Sequence, residues 1–273
     1  MSAPATLARS PERGAIVRAI CVREWREAAG NKLLVGMTFL PPVVILAVGI
    51  LLVAVAARNP PSVKDVQAIY AAAPATAGLD PVEAVQGLIA TYFLILFMMI
   101  PTVVPLTIAI YSVIGEKGAH TLEPLLATPT GVGQLLLAKS LASTIPAVLV
   151  TWLAYAIYLA SVLALGSRAA AKAVTAPGWI LAMAVMVPLL TLLSVNLGIF
   201  ISTRVNDVRV AQQIGGLIVV PVLGLGIAQI SGRVVLNGEA FAQTALLLLV
   251  ADIVVFVAAR IAFQRENILV RWR

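Results

Sequence analysis

Long runs without a single charge dominate this chain and decide its fold class. They extend from Leu33 to Ala57, Ala84 to Gly115, Ser140 to Ser167, Ala173 to Thr203 and Val210 to Gly232. Each exceeds the roughly 20 apolar residues that cross a hydrocarbon core of about 30 Å. A sixth run, Ala240 to Ala259, is equally apolar except for Asp252. Only 11% of the 273 residues are charged and 61% are hydrophobic, too little polar surface to wrap a water-soluble core. The expectation is an all-α integral membrane protein with six transmembrane helices at about 33–57, 88–114, 140–166, 178–202, 210–230 and 241–260. These make a transmembrane domain of residues 33–260, with tails at 1–32 and 261–273.

The few charges also set the orientation. With both termini placed in the cytoplasm, 14 of the 19 Lys and Arg fall inside and 5 outside, a strong positive-inside bias. Topology thereby accounts for the net charge of +7 without nucleic acid, leaving some contact with anionic lipid headgroups. The expected location is the plasma or inner membrane, N-in and C-in. A cleavable signal peptide fits the first span poorly, because its apolar run exceeds the roughly 7 to 15 residues of a signal core.

The tail before the first span is patterned. Val17, Cys21, Trp25 and Ala28 recur at helical spacing, while Arg13, Arg23, Glu24, Arg26 and Glu27 gather on the other face. This predicts an amphipathic helix along the cytoplasmic interface with Trp25 at headgroup level, turning at Gly30 into the first span.

The loop between the second and third spans, 115–139, is the richest in signals. Thr121 can cap a short helix whose first turn holds Glu123, favoured there by the helix dipole. Thr128 or Thr130 can cap a second helix into the third span. Leu122, Leu125 and Leu126 are then free to dock on a partner.

This loop resembles the cytoplasmic signature of the type-2 exporter permeases of ATP-binding-cassette transporters. Glu116, Thr121, Leu122, Glu123, Leu125, Leu126, Thr128, Pro129 and Lys139 match that pattern; Ala119-His120 and Ala138 stand where glycine is common. The segment from Phe263 to Leu269 is similar to the tail after the last span of such permeases. The resemblance implies a coupling helix, with Glu116, Thr121, Leu122, Glu123, Leu125 and Leu126 contacting a cytosolic ATPase subunit. It assigns Arg23, Trp25 and Arg26 to the interfacial helix. It further implies two ATPase copies that hold ATP and Mg, a second permease copy or homologue, and a fifth span whose Val219, Val220, Val222 and Leu223 lie near the two-fold axis and the path.

The chain carries no Walker phosphate loop, so the motor is expected on another polypeptide. His120 is the only histidine and Cys21 the only cysteine; no catalytic triad, disulfide or thiolate metal cluster is expected, and no cofactor on this chain. Asp252 is the one ionisable residue predicted at depth. It binds a cation, relays a proton or lines a translocation path, with Asn196 as a further candidate for the path, or it is a buried carboxyl that is protonated or held by Asn196, Ser194, Gln212 or Gln213. Prolines 41, 42, 101, 105, 146, 188 and 221 are expected to kink five of the spans, and Gly215, Gly216, Gly224 and Gly226 to thin the fifth. The expected function is the permease subunit of an ATP-driven exporter; the alternative is a secondary transporter or channel. Aromatic residues are only 6% of the chain, which favours a hydrophobic drug, lipid, peptide or ion over a glycan as cargo.

Overall fold

A computed structural model describes residues 13–72, 76–119, 132–230 and 238–262, and among them every regular element is helical. In chain order these are α1 (Arg13–Gly30), α2 (Lys32–Arg58), α3 (Val63–Ala72), α4 (Pro81–Phe97), α5 (Ile100–Gly118), α6 (Val132–Leu165), α7 (Arg168–Val174) and α8 (Pro177–Leu181). A π-helical turn (Ala182–Met186) leads into α9 (Val187–Arg204), followed by α10 (Val208–Gly216), α11 (Val219–Ile230) and α12 (Gly238–Ala262). They form the expected six segments long and apolar enough to cross a membrane: α2, α4–α5, α6, α7–α9, α10–α11 and α12. The coupling-loop residues Thr121, Leu122, Glu123, Leu125 and Leu126, and the tail from Phe263, lie outside the described residues.

Two helices overrun the boundaries that charge predicts, for one reason. The helix that holds the third span begins at Val132, ahead of 140, and the helix that holds the second continues past 114 to Gly118. Lys139 and Glu116 marked those ends as solvated, yet both are buried inside their helices.

Proline explains where the spans break. A proline within a helix has no amide hydrogen for the carbonyl four residues earlier, and its ring crowds that carbonyl. Pro101 points back to Phe97, the last residue of α4; Pro188 to Ala184, inside the π turn; Pro221 to Leu217, between α10 and α11. In the π turn the bonding reaches five residues, so the carbonyl of Met183 would await the missing amide of Pro188. The indole Nε1 of Trp152 donates to it instead, at 2.8 Å. Pro41 and Pro42, by contrast, lie within an unbroken α2.

The core is built around α9, which packs chiefly on α5 and α12 and also on α6. Near the middle, Tyr158 on α6 stacks obliquely with Phe97 and Phe93 on α4, ring centres 5.1 and 6.1 Å apart. Gly49 lets α2 close on this cluster: a β-carbon there would stand 2.7 Å from the Phe93 ring. Buried Gln86 on α4 donates to the Val53 carbonyl of α2 at 2.9 Å and accepts from the Ser167 amide at 2.7 Å. One amide thereby joins three elements at the end of α4 remote from the 115–139 loop.

Candidate coupling site

Where the 115–139 loop leaves and rejoins the helices, α1, α5 and α6 meet in a buried charge cluster. Ser112 and Glu116 lie one turn apart on α5 and share a face; Lys139 sits on α6 and Glu24 on α1. The Lys139 ammonium reaches Glu24 Oε1 at 2.7 Å, Glu116 Oε2 at 2.9 Å and Ser112 Oγ at 2.9 Å. The Ser112 hydroxyl donates to Glu24 Oε2 at 2.8 Å. Lys139 is 3% exposed and Glu116 7%. A cation so deeply buried persists only because two carboxylates and a hydroxyl replace its water. Arg23 adds a looser contact, its Nη2 at 4.0 Å from Glu116 Oε1, while its Nε donates to Glu27 at 2.7 Å. That hydrogen bond raises the Arg23 pKa above its ordinary value.

Main-chain contacts fasten the same face of α1. Trp25 Nε1 donates to the Ala142 carbonyl at 2.8 Å, and the buried Cys21 thiol to the Ala138 carbonyl at 3.4 Å. Residues 21 and 25 on α1 and 138 and 142 on α6 are each one turn apart, so the two helices match in register. Burial, and then the neighbouring Glu24 carboxylate, push the Cys21 thiol up from its ordinary pKa. A further tie lies at the end of α5, where the Lys117 ammonium bonds the Ser202 carbonyl of α9, and Asn206 Oδ1 at 3.3 Å.

Deeper in the bundle a second polar group crosses three helices. Ser140 Oγ on α6 donates to Asn196 Oδ1 on α9 at 2.8 Å, and the Asn196 carboxamide faces Asp252 on α12. Asp252 is 3% exposed, and among the described residues neither carboxylate oxygen has a hydrogen bond of ordinary geometry. Ser194, another expected partner, bonds its own helix at the Leu190 carbonyl.

Beside the charge cluster, α1, α2, α5 and α6 line a half-open cavity of about 590 Å³. Residues 16–231 match the family model of the ABC-2 type transporter. The chain belongs to that family. It is a permease, the multi-pass membrane component of an ABC transporter, of a kind that typically works with ABC ATPase subunits. No curated protein matches the chain.

In this ABC-2 permease the residues singled out from sequence are sorted unevenly. Arg23, Trp25 and Glu116 converge on the α1–α5–α6 cluster, whereas Arg26 on the same helix is exposed. Glu24, read as part of the outer polar face, turns inward to Lys139. Trp25 is engaged by a backbone carbonyl as well as being 40% exposed. The candidates for the path are not brought together. Asp252 and Asn196 meet, but Val219, Val220, Val222 and Leu223 lie on α11, which packs on α4, and Val220 is 64% exposed. The family match ends before α12, so it carries no argument about Asp252.

Glu24, Ser112, Lys139 and Ser140 are the site residues that sequence reasoning missed. A signal was available for Ser112 and Lys139. Ser112 and Glu116 stand one turn apart at the end of an apolar helix, and Lys139 interrupts an otherwise apolar run between Leu135 and Ala142. Such an interruption can mark a buried pair as readily as a membrane boundary.

Proposed function

We propose that this ABC-2 permease is the membrane half-unit of an ATP-driven exporter. It pairs with a second copy or a homologue, and two separate ATPase subunits carrying ATP and Mg press on the 115–139 loop. The observation that carries the reading is the charge cluster at the loop's two ends. Glu116 lies in the last turn of α5 and Lys139 near the start of α6; they bond each other, and Lys139 also bonds Glu24 of α1. A load on the loop is therefore shared among three helices at once, which a plain connection between two spans does not need. The Leu122-Glu123-Pro124-Leu125-Leu126 stretch is the segment we assign to contact with the ATPase, with α1 lying along the cytoplasmic surface against lipid. The second copy would cover the apolar side of α10–α11 that carries Leu217 and Val220, both more than 60% exposed. The charge bias along the chain supports a location in the plasma or inner membrane with both termini inside.

Purification in mild detergent tests the reading. The expected result is recovery of an ATPase subunit with the permease, and loss of that subunit from Leu122→Asp/Leu125→Asp protein whose helices are intact. Transport that continues when ATP hydrolysis is blocked would replace the exporter with a secondary transporter or channel.

A further inference from the structure

The cavity beside the charge cluster has the volume, the walls and the charge of a ligand site, and its apolar walls take no part in the coupling role. At about 590 Å³ it falls in the range of sites for drug-sized molecules, about 300–1,000 Å³. Its walls divide by chemistry. Ile108, Pro146 and Val150 supply an apolar floor, and Val35 and Phe39 of α2 an exposed apolar rim. At the α1 end stand Glu24, Glu27 and Glu116 with Arg23.

The charges do not cancel. Among the described residues, three carboxylates are opposed by Arg23 and by Lys139, which is buried behind Glu24 and Glu116, so that carboxylates outnumber cations by one beside an apolar hollow. Three aromatic side chains, Trp25, Phe39 and Tyr111, line the same space, and aromatic faces attract cations more strongly where water is excluded. An anion would meet this excess carboxylate, and an uncharged molecule would leave it unbalanced.

We propose that this cavity binds a monocationic amphiphile, its charged centre against the carboxylates and rings of the α1 end and its apolar body along α2, α5 and α6. The amphiphile enters past the exposed rim of Val35 and Phe39, from the side of the helix bundle. The site belongs to the permease chain itself, so its occupancy requires neither the ATPase nor turnover.

Tetraphenylphosphonium and tetraphenylborate, a cation and an anion of nearly the same shape, provide the test. Binding of each is measured by equilibrium dialysis to the purified permease in nanodiscs, with empty nanodiscs subtracted. The expected result is saturable binding of tetraphenylphosphonium with at least ten-fold preference over tetraphenylborate. Glu27→Lys reverses the local charge at an exposed residue whose bond is to Arg23 on its own helix, and is expected to weaken the cation at least ten-fold. Val35→Trp, which fills the rim, is expected to abolish binding of the cation. Protection of Cys21 from maleimide reports in both variants that α1 remains docked. Equal binding of the two ions, or wild-type affinity in both variants, would overturn the proposal. Because the measurement omits the ATPase, it stands or falls separately from the exporter reading.

Discussion

The indole Nε1 of Trp25 donates to the main-chain carbonyl of Ala142 at 2.8 Å, the acceptor that Pro146, four residues on, has no amide hydrogen to fill. A proline in α6 thereby creates the socket into which α1 fits. Trp25→Phe keeps the ring and removes the donor, leaving a carbonyl unsatisfied at a cost of about 1–3 kcal/mol. In a Pro146→Ala background the helix supplies its own amide, and Trp25→Phe is expected to cost markedly less. Thermal unfolding of the four proteins in one detergent gives the coupling; additive effects would mean that the indole bond and the proline are unrelated.

Lys139 is the next load on the same joint. Lys139→Met leaves Glu24 and Glu116 facing each other in a buried site, and loss of one partner from such a cluster costs about 3–5 kcal/mol. The triple change Lys139→Met/Glu24→Gln/Glu116→Gln removes the stranded charge and is expected to recover most of that stability. Undocking of α1 would be visible as faster modification of Cys21, the chain's only thiol. If Lys139→Met alone leaves both stability and Cys21 protection at the wild-type level, the cluster does not hold α1.

The chemistry of Cys21 adds a pH dependence. An ordinary cysteine titrates at about 8.5, and here burial, followed by Glu24, raises the value. The docked helix prefers the neutral thiol, so the stabilisation is complete below the ordinary thiol pKa and is lost as pH climbs through the raised one. Maleimide labelling of the folded permease is therefore expected to be slow at neutral pH, accelerating only above the range where the denatured chain already reacts. Coincident profiles for folded and denatured protein would contradict the docked position of Cys21.

How far the sequence reveals this architecture depends on which interaction decides each feature. Six apolar runs were legible because a bilayer tolerates few charges, and each charge therefore marks a boundary. The same rule does not see that the helices run on past those charges, since Lys139 and Glu116 neutralise each other across sequence distance rather than in water. Proline positions were legible as sites of weakness, but only packing decides which break the helix: α2 runs straight through Pro41 and Pro42, whereas Pro188 is preceded by a π turn whose freed carbonyl finds Trp152. Glu24 was hidden by periodicity alone, because its inward direction depends on a partner 115 positions away.

Asp252 offers a test of whether a buried charge is kept for stability. Among the described residues its carboxylate has no hydrogen bond of ordinary geometry, and burying such a group is costly. Asp252→Asn preserves the shape and can still meet Asn196, so the melting temperature is expected to be equal or higher. A retained fold with lost transport would place the carboxylate in the mechanism; a melting temperature several degrees lower would instead make Asp252 a structural residue. Unchanged transport would remove it from the mechanism.

The glycines of the bundle separate by what a methyl group would strike. At Gly198 on α9 a β-carbon would lie 3.0 Å from the Leu106 carbonyl and 3.1 Å from the Ala109 β-carbon of α5. That backbone cannot step aside as a side-chain tip can, and α5–α9 is the central helix pair of the core. Gly198→Val is therefore expected to destabilise by about 1–3 kcal/mol, the range for overpacking a tight core. At Gly216 in α10 no atom of the described residues lies within 4 Å of an added β-carbon, and Gly216→Ala restricts the unfolded chain without a clash, a gain of about 0.4–1 kcal/mol. The two variants differ in sign in thermal unfolding of the single chain. A destabilising Gly216→Ala would indicate that another surface occupies that space, and the proposed second permease copy is the one to test, by comparing the oligomeric state of the variant with that of the wild type.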